Sequence, residues 1–119
     1  MPQPSSKSAR EKMHLKPELR IQVFGEPQPT PEEHITGNTT ADPDAVVAHA
    51  HNQQELEALL PDLRGAIKKN TLIWLLYPKG NKAFHRDTIH TFMRTQGLQG
   101  TSMISVDKIW SAMRFKMLD

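Results

Sequence analysis

The stretch "YPKGNKAFHRD", Tyr77 to Asp87, places two lysines and an arginine between a dense apolar run and the start of a helical pattern. Lys79, Lys82 and Arg86 are the cations, and Gly80 lets the backbone approach a ligand closely. A helix N-terminus carries free amides and partial positive charge, so this arrangement reads as a candidate anion site. Two features oppose it. Asp87 could cap the helix and satisfy those amides. Glu26 or Asp42, from an acidic stretch of the chain, could fold over and neutralise the cations.

Other groupings carry less chemistry. His49 and His51 stand two apart, so on a strand they share a face. With His85 or His90 they could hold zinc, copper or nickel through neutral imidazole. No carboxylate stands where it would complete the set, and they read as polar side chains at a strand end. No Ser-His-Asp arrangement is legible, and Ser111 reads as a packing or hydrogen-bonding residue. Trp110 and Arg114 fall on one strand face, which would set the guanidinium near the indole. The opposite face, with Ile109, Met113, Phe115 and Met117, reads as the core face.

These residues need elements to position them. "LRIQVF", Leu19–Phe24, alternates and stops at Gly25 and Pro27, as a strand does. "SAREKMHLKPE" before it reads as a short helical turn closed by Pro17. Between Pro27 and Pro43 there are four prolines and little periodicity. Within that stretch "EEHIT" reads as a short edge strand. "AVVAHA", Ala45–Ala50, is a buried strand. Asn52 then caps a helix, with Glu55 at capping-box spacing. Leu56, Leu59, Leu60 and Leu63 form its apolar stripe. Pro61 is expected to split that helix, and Gly65 or Asn70 to end it. "LIWLLY", Leu72–Tyr77, is apolar at every position, the mark of a strand covered on both faces. Ile89, Phe92 and Met93 give the following helix its stripe, with Gly97 at its C-terminal turn. Residues 101–106 and 109–116 form two final strands joined through Asp107 and Lys108. Strands alternating with helices imply a parallel sheet, and the short last connection implies an antiparallel final strand.

The chain has 119 residues, 37% of them hydrophobic, nine prolines and no cysteine. That length is one domain, expected over residues 9–119 behind a flexible Pro- and Ser-rich segment at 1–8. Without cysteine there is no disulfide or thiolate metal site, and a cytoplasmic location is expected. No stretch is apolar enough for a signal peptide or a membrane span. The net charge of +2 conceals an ordered distribution. Residues 1–20 carry five Lys/Arg and two Asp/Glu, residues 21–63 none and eight, and residues 64–119 ten and three. This basic–acidic–basic order reads as attraction within one fold. A nucleic-acid surface would interleave basic residues with exposed aromatics, and here the aromatics fall where a core needs them.

"LIWLLYPKG", "HRDTI" and "SVDKIWSAMRFK" resemble the C-terminal signature of a family of small bacterial proteins of unknown function. "EKMHLKPELRIQVFGEP" is similar to that family's opening. The resemblance spans most of residues 9–117, most thinly over 27–42, and brings no established reaction with it. The β-α-β-α-β-β ending also resembles the last half of class I methyltransferases, whose final hairpin inserts an antiparallel strand. The resemblance implies a small, mostly parallel Rossmann-like α/β sheet.

The residues themselves argue against the cofactor of those enzymes. The first strand leads into "VFGEPQPTPEE", with one glycine followed by Pro27, Pro29 and Pro31. Proline supplies no amide donor, and the spacing cannot form a cradling turn. No acidic residue follows a second strand where a ribose would need it. No cofactor is therefore expected. Two readings remain. One is a non-catalytic module that binds an anionic small molecule, a partner protein or a second copy of itself. The other is a small enzyme, transferase-like or a divergent methyltransferase, working at the carboxyl ends of the strands with Lys79 as base or electrostatic stabiliser. A Gly25–Pro43 loop that fills the crevice favours the first.

Overall fold

The computed structural model describes residues 8–28, 30–31 and 35–118. The elements run α1 (Ala9–Lys12), β1 (Ile21–Phe24), β2 (Ala45–His49), α2 (Gln53–Ala66), β3 (Leu72–Pro78), α3 (Arg86–Thr95), β4 (Leu98–Ser105) and β5 (Trp110–Met117). They form one five-stranded sheet in the order β1-β2-β3-β5-β4. β1, β2 and β3 are parallel neighbours. β5 runs antiparallel to both β3 and β4, between which it is inserted. The sheet is Rossmann-like, mostly parallel, with the last strand reversed. The hairpin expected at Asp107–Lys108 is present, and its first strand begins three residues earlier than the sequence pattern suggests.

Residue type explains why both faces are covered. Alternating side chains of each strand feed two separate cores. Val46, Ala48, Ile73, Leu75, Tyr77, Met113 and Phe115 pack under α2 and α3. Ala45, Val47, Trp74, Leu76, Trp110 and Ala112 pack under Met13, Leu15 and Ile35. The closing strand therefore has no single core face. Trp110 is fully buried on one side and Phe115 on the other, whereas Ile109 and Met117 are exposed.

Several local expectations change. Pro61 does not split α2, which runs unbroken from Gln53 to Ala66. One turn loses an amide donor there, and burial of Leu56, Leu60 and Leu63 holds the helix through it. Gly65 lies inside the helix, and Ile67 caps it. Of "EEHIT", residues 32–34 lie outside the described residues, and Ile35 and Thr36 are not in a strand. Ile35 is instead a buried core residue.

Asn38 satisfies the outer edge of β1 where the strand begins, at Ile21. Its amide oxygen accepts from Ile21 N at 2.6 Å, its amide nitrogen donates to Leu19 O at 3.0 Å, and its own backbone N–H donates to Ile21 O at 2.8 Å. One side chain thus supplies the donor and acceptor that a neighbouring strand would supply.

Candidate functional site

In an open α/β sheet, ligands bind outside the carboxyl ends of the strands. Here those ends are Phe24–Gln28, His49–Asn52 and Pro78–Lys82, with Trp110 beside the last.

The first two ends close on each other. Gly25 has φ +80°, and a methyl group there would drive into the carbonyl oxygen of His49. Its bareness serves close packing of the turn against β2. Past buried Pro27, the backbone reaches Gln28, whose N and O both lie 3.0 Å from His51 Nε2. His51 Nδ1 is 2.6 Å from Glu55 Oε1, which also accepts from His51 N at 2.9 Å. The carboxylate obliges Nδ1 to carry a proton, so in neutral His51 Nε2 accepts from Gln28 N; protonated, it donates to Gln28 O. Both charge states have a partner. These hydrogen bonds from His51 hold the Glu55 carboxyl below the ordinary carboxylate range.

His49 is buried, with Nδ1 3.3 Å from Phe24 O. Its ring meets the edge of Trp110 at 6.1 Å, and the His51 ring meets it at 5.3 Å. The two histidines do share a side, as their spacing implies, and what they share is an indole. The imidazoles thus stand against Trp110 where the strand pattern would set the Arg114 guanidinium, while Arg114 itself lies opposite Trp74 in the β3–β5 register. A carboxylate does stand beside His51, as a single hydrogen-bonding partner rather than as the completion of a metal-ligand set. It comes from the first turn of α2, four residues on, and an i,i+4 His–Glu pair was the available signal. Among the described residues no group of three His, Asp or Glu side chains is arranged to hold a metal ion.

The third strand end carries the basic turn. Lys79 Nζ is held by Ser105 Oγ and Asp107 O, each at 2.5 Å, so it ties β3 to the β4–β5 hairpin. Gly80, at φ +82°, has open space where a side chain would be. Lys82 is exposed. Arg86 is exposed and lies 3.7 Å from Asp87. Arg86 lines a cleft of about 210 Å³ with Asp87, His90, Thr101, Ser102 and Met103, a cleft that does not include Lys79 or Lys82. The helix cap is His85, not Asp87. His85 Nδ1 accepts from Asp87 N at 3.3 Å, and Thr88 Oγ1 accepts from His85 N at 3.0 Å. Asp42 pairs with Lys68 at 2.8 Å, and so does not neutralise the basic turn.

A bound nucleotide of the Rossmann type requires backbone donors after the first strand and an acid for the ribose. The residues present do not fit it. The Gln28 amide is engaged by His51, and the next described element after β1 is β2 rather than a helix. The acids about the right distance onward, Asp42 and Asp44, lie at the amino end of β2, paired with Lys68 and Arg20.

The sequence matches no protein-family model and no curated protein. Its fold is similar to that of LepI. A single-residue variant of LepI in complex with SAH and a substrate analogue superposes with a TM-score of 0.53 at 13% identity, over 91% of this chain and 38% of that one. The LepI complex with SAM superposes with a TM-score of 0.52 at 15% identity, over the same shares. The chain thus spans well under half the length of the structures it resembles, and at these identities the likeness is one of fold.

Proposed function

We propose that residues 9–119 form a non-catalytic Rossmann-like module that acts by binding. The observation that carries this reading is the closure of the crevice from within. Gly25 packs against the His49 carbonyl and Gln28 is fastened to His51, so the chain's own residues occupy the strand ends where this fold takes its ligands. In this reading an anionic small molecule meets the basic turn after β3. Lys82 and Arg86 are its contacts and the open Gly80 backbone its close approach, while Lys79 is a structural tie.

The second reading is a divergent SAM-dependent enzyme, favoured by the fold shared with LepI, whose structures hold SAM and SAH. One calorimetric series separates the two. The full chain is titrated with SAM, SAH and inorganic phosphate at low and physiological salt. The module reading expects no heat from SAM or SAH, and weak phosphate binding that weakens with salt and is lost in the Lys82→Ala/Arg86→Ala variant. Saturable SAM or SAH binding would replace it with the second reading. Phosphate binding unchanged in the double variant would remove the anion site.

A further inference from the structure

Tyr77 is the chain's single tyrosine, and it is buried beside Phe84 at the carboxyl end of β3. Its hydroxyl donates to Met103 Sδ at 2.9 Å. The Ser111 side chain, opposite in the β3–β5 register, hydrogen-bonds to the phenol oxygen and leaves the phenol proton to the sulfur. A thioether is only a weak acceptor. Met103 is also 44% exposed, and it lines the cleft with Arg86 and Asp87, which a molecule as small as peroxide can enter. Of the other described methionines, Met13, Met93 and Met113 are buried, and only Met117 is comparably exposed. Met103 thus combines an accessible sulfur with a fixed hydrogen-bond donor.

We propose that Met103 is a site of reversible oxidation, at which peroxide converts the thioether to a sulfoxide and the Tyr77 hydroxyl receives the new oxygen. One lone pair of Sδ holds the phenol proton, and the second attacks a peroxide oxygen. The O–O bond breaks as the S–O bond forms. The proton of the transferred oxygen passes to the departing hydroxide, which leaves as water. Sulfur gives up two electrons and peroxide takes them. The sulfoxide oxygen carries more negative charge than the thioether sulfur, and a turn about the Cγ–Sδ bond brings it to the phenol. Oxidation here strengthens an existing hydrogen bond. At Met13 or Met93 it would force a polar oxygen into an apolar core. A methionine sulfoxide reductase returns the thioether and closes the cycle. This inference is independent of the ligand proposed above.

The full chain is treated with graded hydrogen peroxide, then followed by peptide mass spectrometry, ultraviolet difference absorbance and thermal unfolding. Oxygen is expected on Met103 and Met117 at doses that leave Met13, Met93 and Met113 intact. The tyrosine band should shift to longer wavelength, as for a phenol donating to a stronger acceptor, and the thermal midpoint should not fall. Met103→Gln, which places an amide oxygen near the phenol, should show the shift without peroxide. Met103→Leu should show none with it, which assigns the change to Met103. Treatment with methionine sulfoxide reductases should restore both the mass and the spectrum. Oxidation of the buried methionines before Met103 overturns the inference. So does an oxidised Met103 with an unshifted tyrosine band or a lowered midpoint, or a sulfoxide that the reductases leave in place.

Discussion

At the scale of single residues, the sharpest contrasts lie between side chains of similar prominence in the sequence. Trp74 is buried at the centre of β3 and donates its indole N–H to Met13 O at 3.0 Å. Truncating a buried aromatic costs about 3–5 kcal/mol, so Trp74→Ala should lower unfolding free energy by that amount in a urea titration. Lys82→Ala removes an exposed charge and should change it by no more than about 0.5 kcal/mol. Equal midpoints for the two variants would contradict the placement of β3. Gly25→Ala both forces a left-handed backbone angle on a side chain and presses a methyl group into His49 O, so it should destabilise more than an alanine at Gly80, where the space is open. Glu55 supplies a pH dependence. Its carboxyl is held below the ordinary range by His51, so its folded pKa is depressed relative to the unfolded chain. The stabilisation is complete above the unfolded glutamate value and fades as pH falls through the lower, folded one. Glu55→Gln should therefore flatten the acid limb of a stability–pH curve in that window, and an unaltered curve would show that the pair contributes nothing.

At the scale of elements, α2 and α3 show two ways of building a helix against local preference. α2 carries Pro61 on an exposed position in its interior. The missing N–H and the ring's clash with the preceding turn cost about 3 kcal/mol or more, partly offset because proline also restricts the unfolded chain. Pro61→Ala should raise the thermal midpoint, and a fall would mean that the ring packs usefully beside Leu60. α3 begins with histidine at the capping position, where Ser, Thr, Asp and Asn are preferred. The Thr88 hydroxyl completes the reciprocal pair. Because His85 and Thr88 already serve that first turn, an anion gains fewer free amides there than the basic sequence implies.

At the scale of the whole molecule, two of the ion pairs join chain segments of opposite charge. Arg20–Asp44 and Lys68–Asp42 draw the basic and acidic segments together at the amino ends of the strands. The basic turn faces the opposite end of the sheet. Charge within the chain therefore organises one end of the molecule, while the other presents cations to solvent. Among the described residues no helix is long and apolar enough to cross a membrane.

Sequence by itself determined the order of the elements from β1 on, though it also suggested a strand at "EEHIT" that Ile35 and Thr36 do not form. An uninterrupted apolar run must be a strand buried on both faces, leucines at helical spacing must make a stripe, and a short connection must reverse the last strand. Those constraints are local, carried by periods of two and 3.6 residues and by turn chemistry. Tertiary structure alone decided what each polar residue does. Lys79 reads as a ligand for anions until Ser105 and Asp107, more than twenty residues away in the chain, take up its ammonium group. His49 and His51 read as candidate metal ligands until Trp110 and the Gly25–Gln28 turn arrive from either side. Asn38 gives no sign in the sequence that it will pair with the first residue of an edge strand. A hydrogen bond is satisfied by whichever partner the fold brings within about 3 Å, and periodicity carries no information about partners so distant along the chain.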